Sequence, residues 1–317
     1  MPTRLNRFLQ RRLLRSILTV AAIVAMLLAT WRYRLLIATI CANADLGLLG
    51  VSILLGLLAN YLTGLPFNSF LRQYGIEISA GRACYLQLVV QVTKYIPGNI
   101  WGAILQAQLI GSQRVGAIFL AGIDTTVFFM LTVSTTGLAL LACGHHPVAA
   151  VLIAATGWAL AVVIASSTWL FRFVGTTARL LGKHLPVNPA PPLGHEIGHL
   201  FTWAFLHAVL YTGSVITLLI ATTHFTFNDI LIGATSIFLA WVIGTVAVVV
   251  PSGLGVRELA FVSLATALGA SATPQSLAAI AIVARVAQTA PDIFAAVIVA
   301  LVESTNAIRG RLQAKAR

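Results

Sequence analysis

The chain has 317 residues, of which 59% are hydrophobic and only 9% are charged, and its mean hydropathy is +0.94. Soluble domains carry about 25% charged residues, so this composition excludes an ordinary soluble protein. A bilayer accepts apolar side chains on the outside of a fold as well as in its core. The composition predicts an all-α protein that crosses a membrane several times.

The chain is also basic, with 20 Lys and Arg residues against 8 Asp and Glu residues and a formal net charge of +12. A strongly basic chain can indicate a nucleic-acid partner. Here the basic residues cluster in short runs between apolar stretches, which is the pattern that orients a membrane protein. We therefore expect membrane lipids as partners and no nucleic acid.

A basic flank followed by an apolar run at the N-terminus is also the pattern of a secretory signal. A small-residue site, Ala42-Asn43-Ala44, resembles a cleavage site, but it lies well beyond the apolar run. We expect residues 13–31 to form a first span whose basic flank lies in the cytoplasm.

A membrane helix needs about 20 mostly apolar residues, and six unbroken segments meet this requirement. They are residues 13–31, 46–65, 115–141, 148–171, 197–221 and 274–302. Two more apolar regions, 82–111 and 230–270, are each interrupted by proline and glycine. The part of 82–111 before its break is too short and too polar for a lipid-facing span, so we expect re-entrant hairpins.

The positive-inside rule supports this topology. Fifteen of the twenty Lys and Arg residues fall on stretches predicted to be cytoplasmic, whereas Arg32 and Arg34 fall outside and count against it. We expect a multi-pass protein of the cell inner (plasma) membrane, with both termini cytoplasmic.

The two halves of the chain follow the same order of span, span, broken hairpin and span. Since each half has an odd number of full crossings, the second enters from the opposite side, which predicts an inverted-topology repeat within a single membrane domain. The predicted repeats are 13–143 and 148–302, and a proline-rich cytoplasmic connector at 173–194 joins the halves. Two unrelated kinked helices are the alternative.

The first break runs from Lys94 through Pro97, Gly98 and Asn99 to Trp101. Proline removes a backbone donor, and the freed backbone groups must meet water, protein or a ligand. A helix that restarts after Asn99 would favour an anion such as phosphate, and Lys94 would add a full positive charge beside it. Alternatively, Lys94 and Trp101 only anchor the chain at the membrane interface.

The second break runs from Pro251 and Gly253 to the adjacent Arg257 and Glu258. Charges at membrane depth cost about 2.5 to 3.5 kcal/mol each on insertion scales, so they usually face a cavity and a partner. Glu258 could pair with Arg285 in the last span, which would leave Arg257 for a phosphate. A purely structural ion pair between helices is the alternative.

The last predicted span of each half also carries charged residues, one in the first half and two in the second. Asp124 lies in the first half, and Arg285 and Asp292 lie two turns apart on one helix face in the second. They are either cavity residues or structural pairs.

A different motif, His195-Glu196-Ile197-Gly198-His199, matches H-E-x-x-H, in which two His one turn apart bind zinc and Glu activates a water. Such a site needs a third ligand, and His207 lies two turns beyond His199. We therefore expect no metal or other cofactor, although an intramembrane zinc metalloprotease remains an alternative. The three cysteines include no C-x-x-C pair and are expected to act as small apolar residues.

Three segments resemble the flippase-like membrane domain of the lysylphosphatidylglycerol synthetase family, which also contains small stand-alone membrane proteins. They are KYIPGNIW at 94–101, PSGLGVRE at 251–258 and ARVAQTAPDIFAAVIVAL at 284–301. The resemblance covers nearly the whole chain, although HEIGH is not part of the family pattern. The chain ends at Arg317 soon after the last span, so aminoacyl transfer is not implied and no enzymatic activity is expected.

The resemblance implies a lipid translocase that moves a lipid with an anionic or lipid-linked-glycan headgroup between leaflets. The breaks would then meet near the midplane and line a cavity with Lys94, Asn99, Arg257, Glu258, Arg285 and Asp292. A non-transporting partner of an enzyme of cell-envelope lipid or glycan synthesis is the remaining alternative.

Overall fold

The structure is a computed structural model and describes residues 23–94, 101–144, 146–166, 194–247 and 251–315. Over these ranges the regular elements are helical, which confirms the predicted all-α class. The helices are α1 (Ile23–Arg32), α2 (Arg34–Asn43), α3 (Leu46–Leu62), α4 (Gly64–Gln73), α5 (Ala80–Thr93), α6 (Trp101–Ile110), α7 (Val115–Cys143), α8 (Pro147–Ser166), α9 (Gly194–Thr222), α10 (Phe227–Val246), α11 (Val256–Ala267) and α12 (Pro274–Lys315).

Six helical segments within the described ranges are long and apolar enough to cross a membrane. They are Leu46–Gln73, Val115–Cys143, Pro147–Ile164, Ile197–Thr222, Phe227–Val246 and Pro274–Val302. Five of them correspond to predicted spans. The sixth, Phe227–Val246, lies in the second broken region, where the sequence predicts only the limb of a re-entrant hairpin. This limb is longer than expected because no charged residue interrupts the chain between Asp229 and Arg257.

The first predicted span, 13–31, lies partly outside the described residues. Its described end, α1, is bent by 71° from α2, and together the two helices are apolar enough to form one broken span. The bend falls at Tyr33, next to Arg34, whose guanidinium carbon lies 4.5 Å from the ring centroid of Trp31. The sequence did not predict that this span continues beyond a bend.

The chain divides into two compact units. The first unit takes its described residues from 1–52, 133–155 and 212–287, and the second takes them from 53–132, 156–211 and 288–317. Each unit therefore draws on both predicted repeats, and the inverted repeat stays a prediction. The predicted connector, 173–194, lies outside the described residues apart from Gly194, at which α9 begins.

The core of the second unit forms where α4 packs against α5. Gly64 makes this close approach possible, because a Cβ atom there would overlap the backbone of Cys84. Beyond this crossing, the fully buried rings of Phe70 and Phe128 pack edge to face, with centroids 6.1 Å apart. Close backbone approach through a small residue is the usual way in which helices pack inside a membrane.

Small and hydroxyl residues join the helices of the first unit. The Ser52 hydroxyl on α3 donates to the Ser214 carbonyl at 2.7 Å, and the Ser214 hydroxyl on α9 donates to the Ser52 carbonyl at 2.8 Å. Thr235 on α10 likewise donates to the carbonyl of Gly137 on α7 at 2.8 Å. These buried hydroxyls satisfy their donors across helix interfaces, where water cannot do so.

Candidate functional site

The first broken region is a helical hairpin of the second unit, formed by α5 and α6 and called here the Lys94 hairpin. The Gln106 side-chain amide on α6 donates to the Leu86 carbonyl on α5 at 3.1 Å. Nearer the open end, the Arg82 guanidinium donates to the carbonyl of Leu109. The two limbs therefore run antiparallel and form a helical hairpin, whereas its re-entrant placement in a membrane stays a prediction. Pro97, Gly98 and Asn99 lie outside the described residues.

Lys94 ends the first limb of this hairpin and forms an ion pair that the sequence did not predict. Its Nζ atom lies 2.8 Å from Oδ2 of Asp292 on α12 and donates to Gln91 Oε1 at 2.8 Å. The Asn60 amide is 3.4 Å from the other oxygen of Asp292. Because Asp292 is only 4% exposed, its charge requires such partners. Trp101, which begins α6, is about half exposed.

The second broken region is a hairpin of the first unit, formed by α10 and α11 and called here the Arg257 hairpin. At its open end, the backbone NH of Ser271, a residue that follows α11, donates to Asp229 Oδ1 on α10 at 2.9 Å. At its tip, Gly253 lies against the backbone of Gly244, and a Cβ atom on Gly253 would lie 2.6 Å from the Gly244 carbonyl oxygen. The two limbs form a helical hairpin, but the first limb is long and apolar enough to cross a membrane, so a hairpin that is re-entrant over both limbs is not confirmed here.

The tip of the Arg257 hairpin has a strained backbone. Ser252, in a single 3-10 turn at Pro251–Gly253, has φ of 53°, and Gly253 has φ of 65°. A non-glycine residue rarely adopts this left-handed conformation unless its surroundings hold it there. Arg285 supplies that support, because its Nη2 atom donates to the Ser252 carbonyl and to the Ser252 hydroxyl, both at 2.9 Å.

Three charged side chains lie at this tip. Glu258 Oε1 lies 3.7 Å from Arg285 Nε, which confirms the predicted pair. Arg257 follows the surface of α10, with its guanidinium carbon 5.9 Å from the Trp241 ring centroid and Nη2 3.4 Å from the Thr245 hydroxyl. Two guanidinium groups thus accompany one carboxylate.

The H-E-x-x-H motif lies at the start of α9. The ring of His199 stacks on Trp203, with centroids 6.5 Å apart, while the side chains of His195 and Glu196 lie outside the described residues. His207 is buried with its ring 4.2 Å from that of Phe129. In the described ranges no three His, Cys, Asp or Glu residues are grouped to hold a metal ion. The predicted absence of zinc stays a prediction.

Asp124 on α7 has a partner that sequence reasoning missed. The Tyr74 hydroxyl donates to Asp124 Oδ2 at 2.7 Å, and both residues are buried. Tyr74 follows the span Leu46–Gln73, and burial together with the neighbouring carboxylate raises the pKa of this phenol. The two residues are 50 positions apart, and no sequence pattern links them.

Long apolar helices and two helical hairpins with charged tips define a polytopic α-helical membrane protein. Residues 13–296 match the family model described as the lysylphosphatidylglycerol synthase TM region. The chain belongs to this family, which confirms the resemblance in the sequence. No curated protein matches the chain.

Proposed function

We propose that the protein moves a lipid with an anionic, phosphate-bearing headgroup between the leaflets of the plasma membrane. The headgroup would bind at the tip of the Arg257 hairpin while the acyl or prenyl tails stay in the bilayer. Membership of a family named for a lipid-modifying synthase supports a lipid as the cargo.

The charge balance at the tip of the Arg257 hairpin is the observation that carries this proposal. Arg257, Arg285 and Glu258 give two positive charges and one negative charge among the described side chains of the tip. Such charges within an apolar region are costly unless polar groups, water or an anion surround them. A phosphate group would supply that anion.

Arg257 is the residue best suited to bind the phosphate. A guanidinium presents several N–H donors in a planar fork that matches phosphate oxygens. Its aliphatic part lies against Gly244, where any side chain would overlap it, and its charged end lies near Trp241. The cation–π contact with Trp241 and the contact with the Thr245 hydroxyl hold the guanidinium at the tip, while Arg285 holds Ser252 and Glu258.

The sequence suggests that Lys94 places a full positive charge beside a bound anion, but this proposal does not give it that role. Its ammonium group is balanced by Asp292, so it does not present a full uncompensated charge to a headgroup. A phosphate would have to displace the carboxylate of Asp292 to bind Lys94, so Lys94 is not the phosphate ligand of this proposal.

Reconstituted vesicles test this function directly. We expect the wild-type protein to accelerate leaflet exchange of a labelled anionic phospholipid or polyprenyl-phosphate lipid, and Arg257→Ala to slow it about tenfold or more, since the loss of charge-assisted hydrogen bonds costs roughly 1.5–3 kcal/mol. Arg257→Lys should recover part of the rate, because it keeps the charge but not the fork. Arg72→Ala is the matched control, since Arg72 is an exposed arginine at the end of α4.

Two outcomes would contradict the proposal. The first is a wild-type protein that accelerates the exchange of none of these lipids, which would favour the partner role in envelope synthesis. The second is an exchange rate of Arg257→Ala equal to that of Arg72→Ala, with a thermal unfolding midpoint equal to that of the wild type. In that case the phosphate does not bind at Arg257.

A further inference from the structure

Asp124 is a carboxylic acid buried in a membrane helix of the second unit. It is 6% exposed and lies nine residues after the start of the 29-residue helix α7. At 1.5 Å per residue, this places it roughly 14 Å along the helix axis. An ionisable residue at such a position is by default a candidate functional site.

The other buried carboxylates of the described chain are compensated. Asp292 pairs with Lys94 and Glu258 pairs with Arg285. Asp229 accepts from the Thr226 hydroxyl and from both the backbone NH and the hydroxyl of Ser271. Asp292 and Glu258 thus have a cation beside them, and Asp229 accepts three hydrogen bonds. Asp124 has neither kind of compensation, because within the described ranges it accepts one hydrogen bond, from the neutral Tyr74 hydroxyl.

No cation of the described second unit pairs with Asp124. Arg72, Arg82 and Arg114 are exposed, and the last two donate to backbone carbonyls. His207 packs against Phe129. The charged side chains of the surrounding helices and turns, and His207, are therefore engaged elsewhere or exposed: Arg72, Glu77, Arg82, Lys94, Arg114, His207 and Asp292. The thiol of Cys84 on α5 is buried as well.

This setting favours a bound proton over a bound metal ion. An ionised carboxylate in an apolar surrounding is costly without a cation or several donors, and a bound proton removes the charge. A hard metal cation would require several oxygen ligands, whereas within the described ranges the Tyr74 hydroxyl is the one hydrogen-bond partner of Asp124.

Tyr74 also offers a route by which a proton could reach Asp124. The residue is buried, yet it is followed directly by the exposed Gly75 and by Glu77, which is exposed as well. A phenol hydroxyl can accept one proton while it donates another. Tyr74 therefore connects the turn after α4 to the carboxylate of Asp124 on α7.

We propose that Asp124 and Tyr74 form a proton-binding site, at which Asp124 takes up and releases one proton through the Tyr74 hydroxyl. If the lipid transport proposed above is correct, this site gives it a means of coupling to a proton gradient. The proton site itself does not depend on that coupling.

Infrared difference spectroscopy of the protein in lipid vesicles tests the site. We expect a carbonyl band of a protonated carboxyl group that falls as the pH rises and disappears in Asp124→Asn. Tyr74→Phe should keep the band but shift its frequency and its titration midpoint. Asp292→Asn is the matched control and should leave the band unchanged, because Asp292 is paired with Lys94.

Three results would overturn this assignment. The first is an unchanged spectrum in Asp124→Asn. The second is a band that stays constant over the whole pH range in which the protein is folded. The third is the removal of the band by Na⁺ at constant pH, as expected of a metal site. Should lipid exchange prove absent while the band still titrates, the lipid proposal fails and the proton site stands. Should lipid exchange be present while the band does not titrate, the proton site fails and the lipid proposal stands.

Discussion

The Nζ atom of Lys94 lies 2.8 Å from Oδ2 of Asp292, so the residue that ends the first limb of the Lys94 hairpin is held to helix α12. The carboxylate is almost completely buried, whereas one third of the lysine side chain is exposed. This asymmetry determines which partner can be removed at the lower cost.

We expect Lys94→Met to destabilise the protein more than Asp292→Asn does. The first variant leaves a buried carboxylate without its cation, and breaking a fully buried pair costs about 3–5 kcal/mol. The partial exposure of Lys94 puts the expected loss at the lower end of that range. Thermal unfolding midpoints in detergent measure the difference.

The double variant Lys94→Met/Asp292→Leu provides the control. An apolar replacement of a buried ion pair is often neutral or stabilising, so its midpoint should return towards that of the wild type. If the loss in the double variant equalled the sum of the losses of Lys94→Met and Asp292→Leu measured singly, the pair would not be coupled as the structure indicates.

The sequence predicted much of this fold because long apolar helices and proline-glycine breaks are local features. The two helical hairpins and the pair of Glu258 with Arg285 were inferred in this way, and the structure contains them. The re-entrant placement of the hairpins stays a prediction. The cytoplasmic placement of the termini stays a prediction, since the structure contains no membrane.

Other contacts could not be predicted, because they depend on how distant helices pack. Nothing in the local sequence of Tyr74 indicates that its hydroxyl reaches Asp124. The full span length of α10 was also not predicted, because the sequence pattern places a break at Pro251 but does not show where the helix before it begins. Local patterns predict helices well, but the partners of buried polar groups depend on tertiary structure.

A second prediction concerns the crossing of α4 and α5. Gly64→Ala should lower the unfolding midpoint markedly, because the added Cβ would overlap the Cys84 backbone and lie 2.7 Å from the carbonyl carbon of Ala83. Backbone atoms cannot move aside as a flexible side chain can, so the helices must separate. Overpacking of this kind typically costs about 1–3 kcal/mol.

Gly81→Ala is the matched control for this crossing. Gly81 lies on α5, and a Cβ atom there meets nothing within 4 Å. Alanine should be neutral or slightly stabilising at this position, since glycine is the poorer helix former. Equal effects of the two variants would show that the close contact at Gly64 does not limit stability.

A third prediction is that the pure protein contains no stoichiometric zinc. The His195-Glu196-Ile197-Gly198-His199 motif needs a third ligand, and the next histidine of the helix, His207, is buried against Phe129. Elemental analysis of the purified protein should give the same low zinc content for the wild type and for His199→Ala. One zinc per chain that is lost in His199→Ala would instead support the metalloprotease.

The last prediction concerns Arg285, which holds the strained tip of the Arg257 hairpin. Its Nη2 atom donates to the carbonyl and hydroxyl of Ser252, while its Nε atom lies 3.7 Å from Glu258. Lysine keeps the charge but has no planar fork, so it cannot reach both partners from one position. We expect Arg285→Lys to cost roughly 1–3 kcal/mol, the range associated with an unsupported strained residue, and to slow lipid exchange.

A second substitution separates the strain at Ser252 from the loss of the Arg285 guanidinium fork. Glycine adopts the left-handed conformation of Ser252 at little cost, so the double variant Arg285→Lys/Ser252→Gly should regain much of the lost unfolding midpoint. Its lipid exchange should stay slow if the position of the tip, and not the charge alone, determines the rate. A wild-type midpoint and a wild-type exchange rate in Arg285→Lys would show that the guanidinium fork does not hold the tip, because the charge alone would then suffice.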